Sequence, residues 1–97
     1  MIEFEWDPTK AKTNLRKHRV SFHEAATVFH DPLGITVSDP DHSDDEDRYI
    51  TIGVAATDRI LMVSHTDRGK HIRIISAREL MRTEREEYED EIERRKS

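Results

Sequence analysis

The sequence contains no cysteine, which excludes disulfides, thiolate metal ligands and cysteine nucleophiles together. Glycine and proline occur three times each, and neither a Gly-rich phosphate loop nor a nucleophile elbow is present. No apolar run approaches the roughly 18 residues of a membrane span. The opening MIEFEWDP lacks the basic and apolar regions of a signal peptide, so a soluble, cytoplasmic chain with nothing removed before folding is expected. Hydrophobic residues make up 34% of the chain against 38% charged, so the core must be small, yet the apolar positions recur in the short periodic runs of a folded protein. With 97 residues, one domain spanning 1–97 is expected.

The net charge is −5, and a negative chain is a poor partner for nucleic acid because phosphate binding needs a positive field. The distribution of the charge points the other way. The segment Asp39 to Asp47, DPDHSDDED, holds six acids and no base, and residues 82–97 hold seven acids against five bases. The remaining body carries a net +3.

The elements are legible from period and capping. IEFEW, residues 2–6, alternates like a half-buried strand. Asp7 and Pro8 open a helix as N-cap and first helical residue, and SFHE reads as a capping box starting a second helix at Ser21 that ends near Asp31 and Pro32. GITVSD, RYITIGV, ILMVSHT and KHIRIISA read as strands, with Ile50, Ile52 and Val54 on the inward face of the third strand. A second capping box, SARE, predicts that the last helix leaves the final strand at Ser76. Tyr88 and Ile92 are the only apolar anchors in that helix's acidic end, so its final turns should project.

One residue interrupts the apolar run HIRIISAR, namely Arg73. With the hairpin turn centred on Arg68, His65 would oppose His71 and Val63 would oppose Arg73. Ile60, Met62, Ser64, Ile72, Ile74 and Ser76 would then form the core face, leaving Arg73 with His65, His71, Tyr49 and Thr51 on the other. Arg59, Arg73 and Arg78 would surround one sheet, and arginine's planar fork suits phosphate oxygens. On the first helix Lys10, Asn14 and Lys17 share a stripe, while Ala11, Leu15 and then Phe22 serve the core. From spacing alone, a solvated polar face is the simpler explanation of that stripe. His18 is a candidate proton donor, although a histidine at a helix C-terminus also has a structural use. Glu24 is either a general base or only a cap. The histidines lack the spacing of a metal site, and DPDHSDDEDRYI has Asp44 and Ile50 where a calcium loop needs glycine and glutamate. No metal and no cofactor is expected.

The blocks WDPTKAKTNLRKHRVSF and IRIISAR, with RYITIG between them, resemble the BrnT family of type II toxin-antitoxin toxins over nearly the whole length. The resemblance implies an α+β fold, a single compact RelE-like domain. In it a mostly antiparallel, twisted sheet of four or five strands carries two N-terminal helices on one face and a C-terminal helix. It further implies metal-independent endoribonuclease activity and a cognate antitoxin that masks the toxin and binds operator DNA; if that antitoxin dimerises on DNA, each copy would hold one toxin, giving a two-plus-two complex. On that basis Arg73, Arg78 and Arg59 would hold the phosphate during attack by a ribose 2′-hydroxyl, with Lys17 or His18 assisting proton transfer. Lys10, Asn14, His65, His71 and Tyr49 would contact RNA, and the acidic segment would stay away from both RNA and antitoxin. The alternative is a non-catalytic binding module that acts as a co-repressor, its arginines docking an acidic partner.

Overall fold

The computed structural model describes residues 2–42 and 47–96; residues 43–46 of the acidic segment, including Asp44, lie outside the described residues. The elements are β1 (Glu3–Glu5), α1 (Pro8–His18), α2 (Phe22–Thr27), a 3-10 turn (Val28–His30), β2 (Ile35–Ser38), a second 3-10 turn (Pro40–His42), β3 (Arg48–Val54), β4 (Ile60–Arg68), β5 (His71–Glu79) and α3 (Arg82–Lys96). The strands form one sheet in the order β1-β5-β4-β3-β2. It is antiparallel except for β1, which lies parallel to β5. This is the α+β architecture expected, with five strands.

Local chemistry sets the helix starts. Asp7 caps α1 by accepting from the Thr9 N–H at 2.8 Å, ahead of Pro8. Ser21 caps α2 by accepting from the Glu24 N–H at 3.0 Å. The reciprocal half of that capping box is missing, because the Glu24 carboxylate turns instead to Arg59 and Thr57. α3 begins at Arg82, not at Ser76: residues 76–79 continue β5, and the working cap is Glu84, whose side chain accepts from the Met81 N–H at 2.8 Å. Pairing of β4 with β5 extends to Glu79 opposite Leu61, and this pairing outweighs the capping signal of SARE. The anchors of α3 are as expected: Tyr88 is buried and Ile92 half-buried, while residues 93–96 are exposed.

The core lies between the sheet and α2, where Val20, Phe22, Ala25 and Val28 pack on Leu61, Val63, Ile72, Ile74 and Ala77. The sheet face differs from the expected one. The hairpin pairs Arg68 with His71 and His65 with Ile74, so Leu61, Val63 and His65 point inward, with Tyr49, Thr51 and Gly53 beside them on β3. Ile50, Ile52, Ile60 and Met62 lie on the outer face. Gly53 explains the choice, because a Cβ there would stand 3.0 Å from Val28 Cγ1 and 3.1 Å from Asp31 Oδ2. The chain after α2 packs against bare backbone.

Between Ser64 and His65 the β4–β5 pairing shifts by one residue, which leaves Ile75 as a bulge. The bulge re-phases β5. Ile72 and Ile74 point to the core before it and Ala77 after it, so Arg73, Ser76 and Arg78 share the outer face. In an unbroken strand, residues 73 and 78 would point to opposite sides.

The helix α1 also turns differently. Leu15 is 49% exposed, and Asn14, from the polar stripe, is buried. β1 covers β5 only as far as Arg73, and beyond it α1 lies along the strand edge. There Asn14 acts as a substitute strand, accepting from the Ala77 N–H at 3.0 Å while donating to the Ala77 C=O at 2.8 Å and the Val20 C=O at 3.0 Å. An edge of backbone donors and acceptors demands a polar neighbour, so the polar stripe faces it.

Candidate functional site

Two clefts compete for attention. The larger, about 460 Å³, runs between α3 and the β2–β3 end of the sheet, where Asp31, Glu89, Asp90 and Glu93 outnumber Lys96. Acid-lined, it repels a polyanion. The second, about 250 Å³, lies between α1 and β5 and is lined by Thr9, Lys10, Thr13, Asn14, Lys17, His18, Ile75 and Ser76. It contains no carboxylate. Lys10, Lys17 and His18 have no ion-pair or hydrogen-bond partner among the described residues, so their donors are available to a ligand.

The bulge at Ile75 gives this cleft its floor, and Arg73 flanks it on the same outer face. Arg73 reaches Glu5 with one nitrogen at 2.9 Å and is 37% exposed, leaving the rest of its fork unengaged. His71, 48% exposed, lies between Glu3 at 2.9 Å and Glu5 at 3.4 Å.

The other candidates are committed to structure. Arg78 grips Glu84 with both nitrogens, at 2.8 and 2.9 Å, and also donates to the Glu79 C=O at 3.1 Å. The two charges protect each other: Arg78, more than the Met81 N–H, holds the Glu84 carboxyl down at about 2, and Glu84 raises Arg78. Arg59 stands at the helix-bearing side, bonded to Glu24, to Glu79 at 2.8 Å and to the Arg19 C=O at 2.8 Å. Hydrogen bonding to Glu24 and Glu79 raises Arg59 far above its ordinary value, and Arg59 in turn lowers Glu24. The three arginines therefore do not converge: Arg73 and Arg78 share a face and Arg59 does not.

Nor do His65 and Tyr49 stand on the outer face. His65 is 1% exposed, bonded to Thr51 Oγ1 at 2.7 Å and to Asp67 at 2.9 Å, with Tyr49 stacked at 6.0 Å and Phe29 edge-on at 4.9 Å. Burial pushes His65 below its ordinary value, with Asp67 opposing in part. Thr51 continues the polar chain to Thr36 at 2.8 Å. Asn14, with both amide hydrogens and its oxygen engaged, orders the cleft without a free donor of its own. Sequence reasoning misses Ser76 and Ile75, which the bulge brings to the floor; simple alternation sends Ser76 to the core, and nothing in IRIISAR marks the extra residue.

Fold and cleft together define a small α+β domain with a carboxylate-free basic groove beside a half-buried outer sheet face, suited to a polyanionic ligand. The family model of the BrnT ribonuclease toxin of type II toxin-antitoxin systems matches residues 6–84, and the chain belongs to that family. Its structure is similar to the 1.1 Å crystal structure of the Brucella abortus ribonuclease toxin BrnT, with TM-score 0.67 and 21% identity over 84% of this chain and 100% of that one. Comparison with curated protein sequences finds no significant match. Among the described residues no helix is long and apolar enough to cross a membrane, and no three His, Asp or Glu side chains are grouped as a metal ion would need.

Proposed function

We propose that the chain is a metal-independent endoribonuclease that cleaves in the α1–β5 cleft. The supporting observation is the meeting of three unpartnered bases, Lys10, Lys17 and His18, in a cleft whose lining holds no carboxylate, with Arg73, one nitrogen of which is held by Glu5, three residues along β5 from Ser76. In this reading the ribose 2′-hydroxyl attacks the adjacent phosphorus. The O2′–P bond forms, the P–O5′ bond breaks, and the products are a 2′,3′-cyclic phosphate and a 5′-hydroxyl. Lys17 and His18 divide the proton transfers, one accepting from O2′ and the other donating to O5′. Arg73 faces the charge that develops on the non-bridging oxygens, and Lys10 holds a neighbouring phosphate. Arg78 and Arg59 act through position, fixing the start of α3 and the α2 corner.

Neutralisation follows from the same surface: an acidic antitoxin segment covering Arg73 would be steered there and would occlude the cleft. A dimeric, operator-binding antitoxin would then carry two toxins, in a two-plus-two complex. The carboxylate partners of Arg59 and Arg78 favour the second reading, a co-repressor module without catalysis. One assay separates the two. Purified protein is incubated with RNA in excess chelator, and the cleaved ends are identified. Cleavage to 2′,3′-cyclic ends, lost in Arg73→Ala and in Lys17→Ala with His18→Ala, supports the enzyme. No cleavage by the unaltered chain, or full cleavage by those variants, rejects it.

A further inference from the structure

Across the outer face runs a row of directly opposed residues: Arg48 on β3, Thr66 on β4, Arg73 on β5 and Glu5 on β1. Opposed residues project from the same side of a sheet, and here that side is away from the core, because the alternating neighbours His65 and Ile74 are buried within it. Two atoms of the row are buried and lack any hydrogen-bond partner, the Thr66 hydroxyl and Arg48 Nε. Thr66 is 2% exposed. Arg48 has no carboxylate partner among the described residues, although Asp47 precedes it in the chain. A buried donor without an acceptor destabilises a fold, so its presence between two guanidiniums needs an explanation.

We propose that this row is a second phosphate subsite for RNA, in which Arg48 and Arg73 flank one phosphodiester and the Thr66 hydroxyl donates to it from beneath. Strand spacing puts the Arg48 and Arg73 Cα atoms about 10 Å apart, so their forks close on a single anion from either side. The phosphate oxygens supply the acceptors that Thr66 Oγ1 and Arg48 Nε lack. Glu5 holds one nitrogen of Arg73 at 2.9 Å and keeps the fork oriented. Three donors arriving from three strands suit the tetrahedral oxygens of a phosphate better than a planar carboxylate. Two residues along β4, Ser64 opposes Ser76 of the cleft floor, so the row adjoins the cleft at roughly 7 Å. It is positioned for the phosphate next to the one cleaved, with the unengaged part of the Arg73 fork shared between the two phosphates, and in that sense the inference rests on the ribonuclease reading.

The test is binding of a short, uncleavable 2′-O-methyl RNA to the full chain, followed by anisotropy over a range of salt. Arg48→Gln is expected to weaken binding roughly tenfold and to flatten the salt slope by about 0.7, the loss of one phosphate contact from a single strand. Arg48→Lys restores the slope without the full affinity, because the charge returns and the fork does not. Thr66→Val is expected to weaken binding at unchanged slope while raising the melting temperature, since an apolar side chain of the same shape replaces an unsatisfied hydroxyl. If both variants bind like the unaltered chain and that chain cleaves RNA, the row is not a phosphate subsite and the ribonuclease reading stands. If Arg48→Gln loses the antitoxin but not RNA, the row belongs to the partner and the inference is overturned. A chain that neither binds nor cleaves RNA overturns both.

Discussion

Removing the Asn14 amide should cost stability before it costs anything else. In Asn14→Ala three backbone groups lose their partner at once: the Ala77 N–H, the Ala77 C=O and the Val20 C=O, bonded at 3.0, 2.8 and 3.0 Å. Asn14 is only 5% exposed, so water does not readily replace it. Each group left unsatisfied costs about 1–3 kcal/mol, and the lower end of that range already totals ~3 kcal/mol. A domain of this size has roughly 5–15 kcal/mol in all. At about 4–8 °C per kcal/mol the melting temperature should fall by at least ~12 °C. Thermal and urea unfolding followed by circular dichroism measure this, and RNA anisotropy well below the transition tests binding separately. If Asn14→Ala melted within about 3 °C of the unaltered chain yet lost RNA, the amide would be a ligand contact. Asn14 would then not stand in for a strand at the β5 edge.

Gly53→Ala should destabilise by about 1–3 kcal/mol through overpacking, since its Cβ would meet Val28 Cγ1 at 3.0 Å; a urea midpoint close to the original would contradict the close approach. Glu84 is depressed from 4.5 to about 2, chiefly by Arg78, so its contribution is present above 4.5 and lost as pH falls toward 2. Glu84→Gln should therefore flatten the acid limb of the stability curve, and an unchanged limb would show that the pair contributes nothing. His65 is lowered from 6.5 by burial. The unfolded chain takes the proton first, stability is full above 6.5, and it declines as pH falls through the lower folded value. Urea midpoints taken over about pH 5 to 8 should show that decline in the original chain and not in His65→Gln. Arg59→Met should unfold more readily in thermal melts, because Glu24, 11% exposed, loses its main partner; if the variant folds normally but loses RNA cleavage alone, Arg59 acts in the chemistry.

Element order was legible because each start had local chemistry behind it: Asp7 with Pro8, Ser21, and the apolar runs of β3 to β5. The sheet's inward face was not, for reasons particular to this chain. β3 and β4 carry aliphatic residues on both sides, and alternation favoured the bulkier set, Ile50, Ile52, Ile60 and Met62. The fold instead turns Thr51 and Gly53 inward, since α2 and the turn after it need close approach. Ile75 hides its bulge in an unbroken apolar run, and the shared face of Arg73 and Arg78 depends on it. The cleft was half visible: Lys10, Lys17 and His18 lie where a polar stripe and helix end suggested, whereas Arg59 stands away from it, bonded to Glu24, and His65 is buried.

The parallel pairing of β1 with β5 has a consequence for the order of events during synthesis. Glu5 waits for Arg73, and Asn14 waits for Ala77, so β1 and α1 leave the ribosome well before β5 and find their partners only when it emerges. Closing so long a loop comes late, after the local β3–β4 and β4–β5 hairpins have formed. Until then the Lys10–Lys17–His18 wall and the Arg73 floor belong to separate pieces of chain. A polypeptide that stops short of β5 thus carries no assembled cleft, and both walls of the cleft come together in one step when β5 docks.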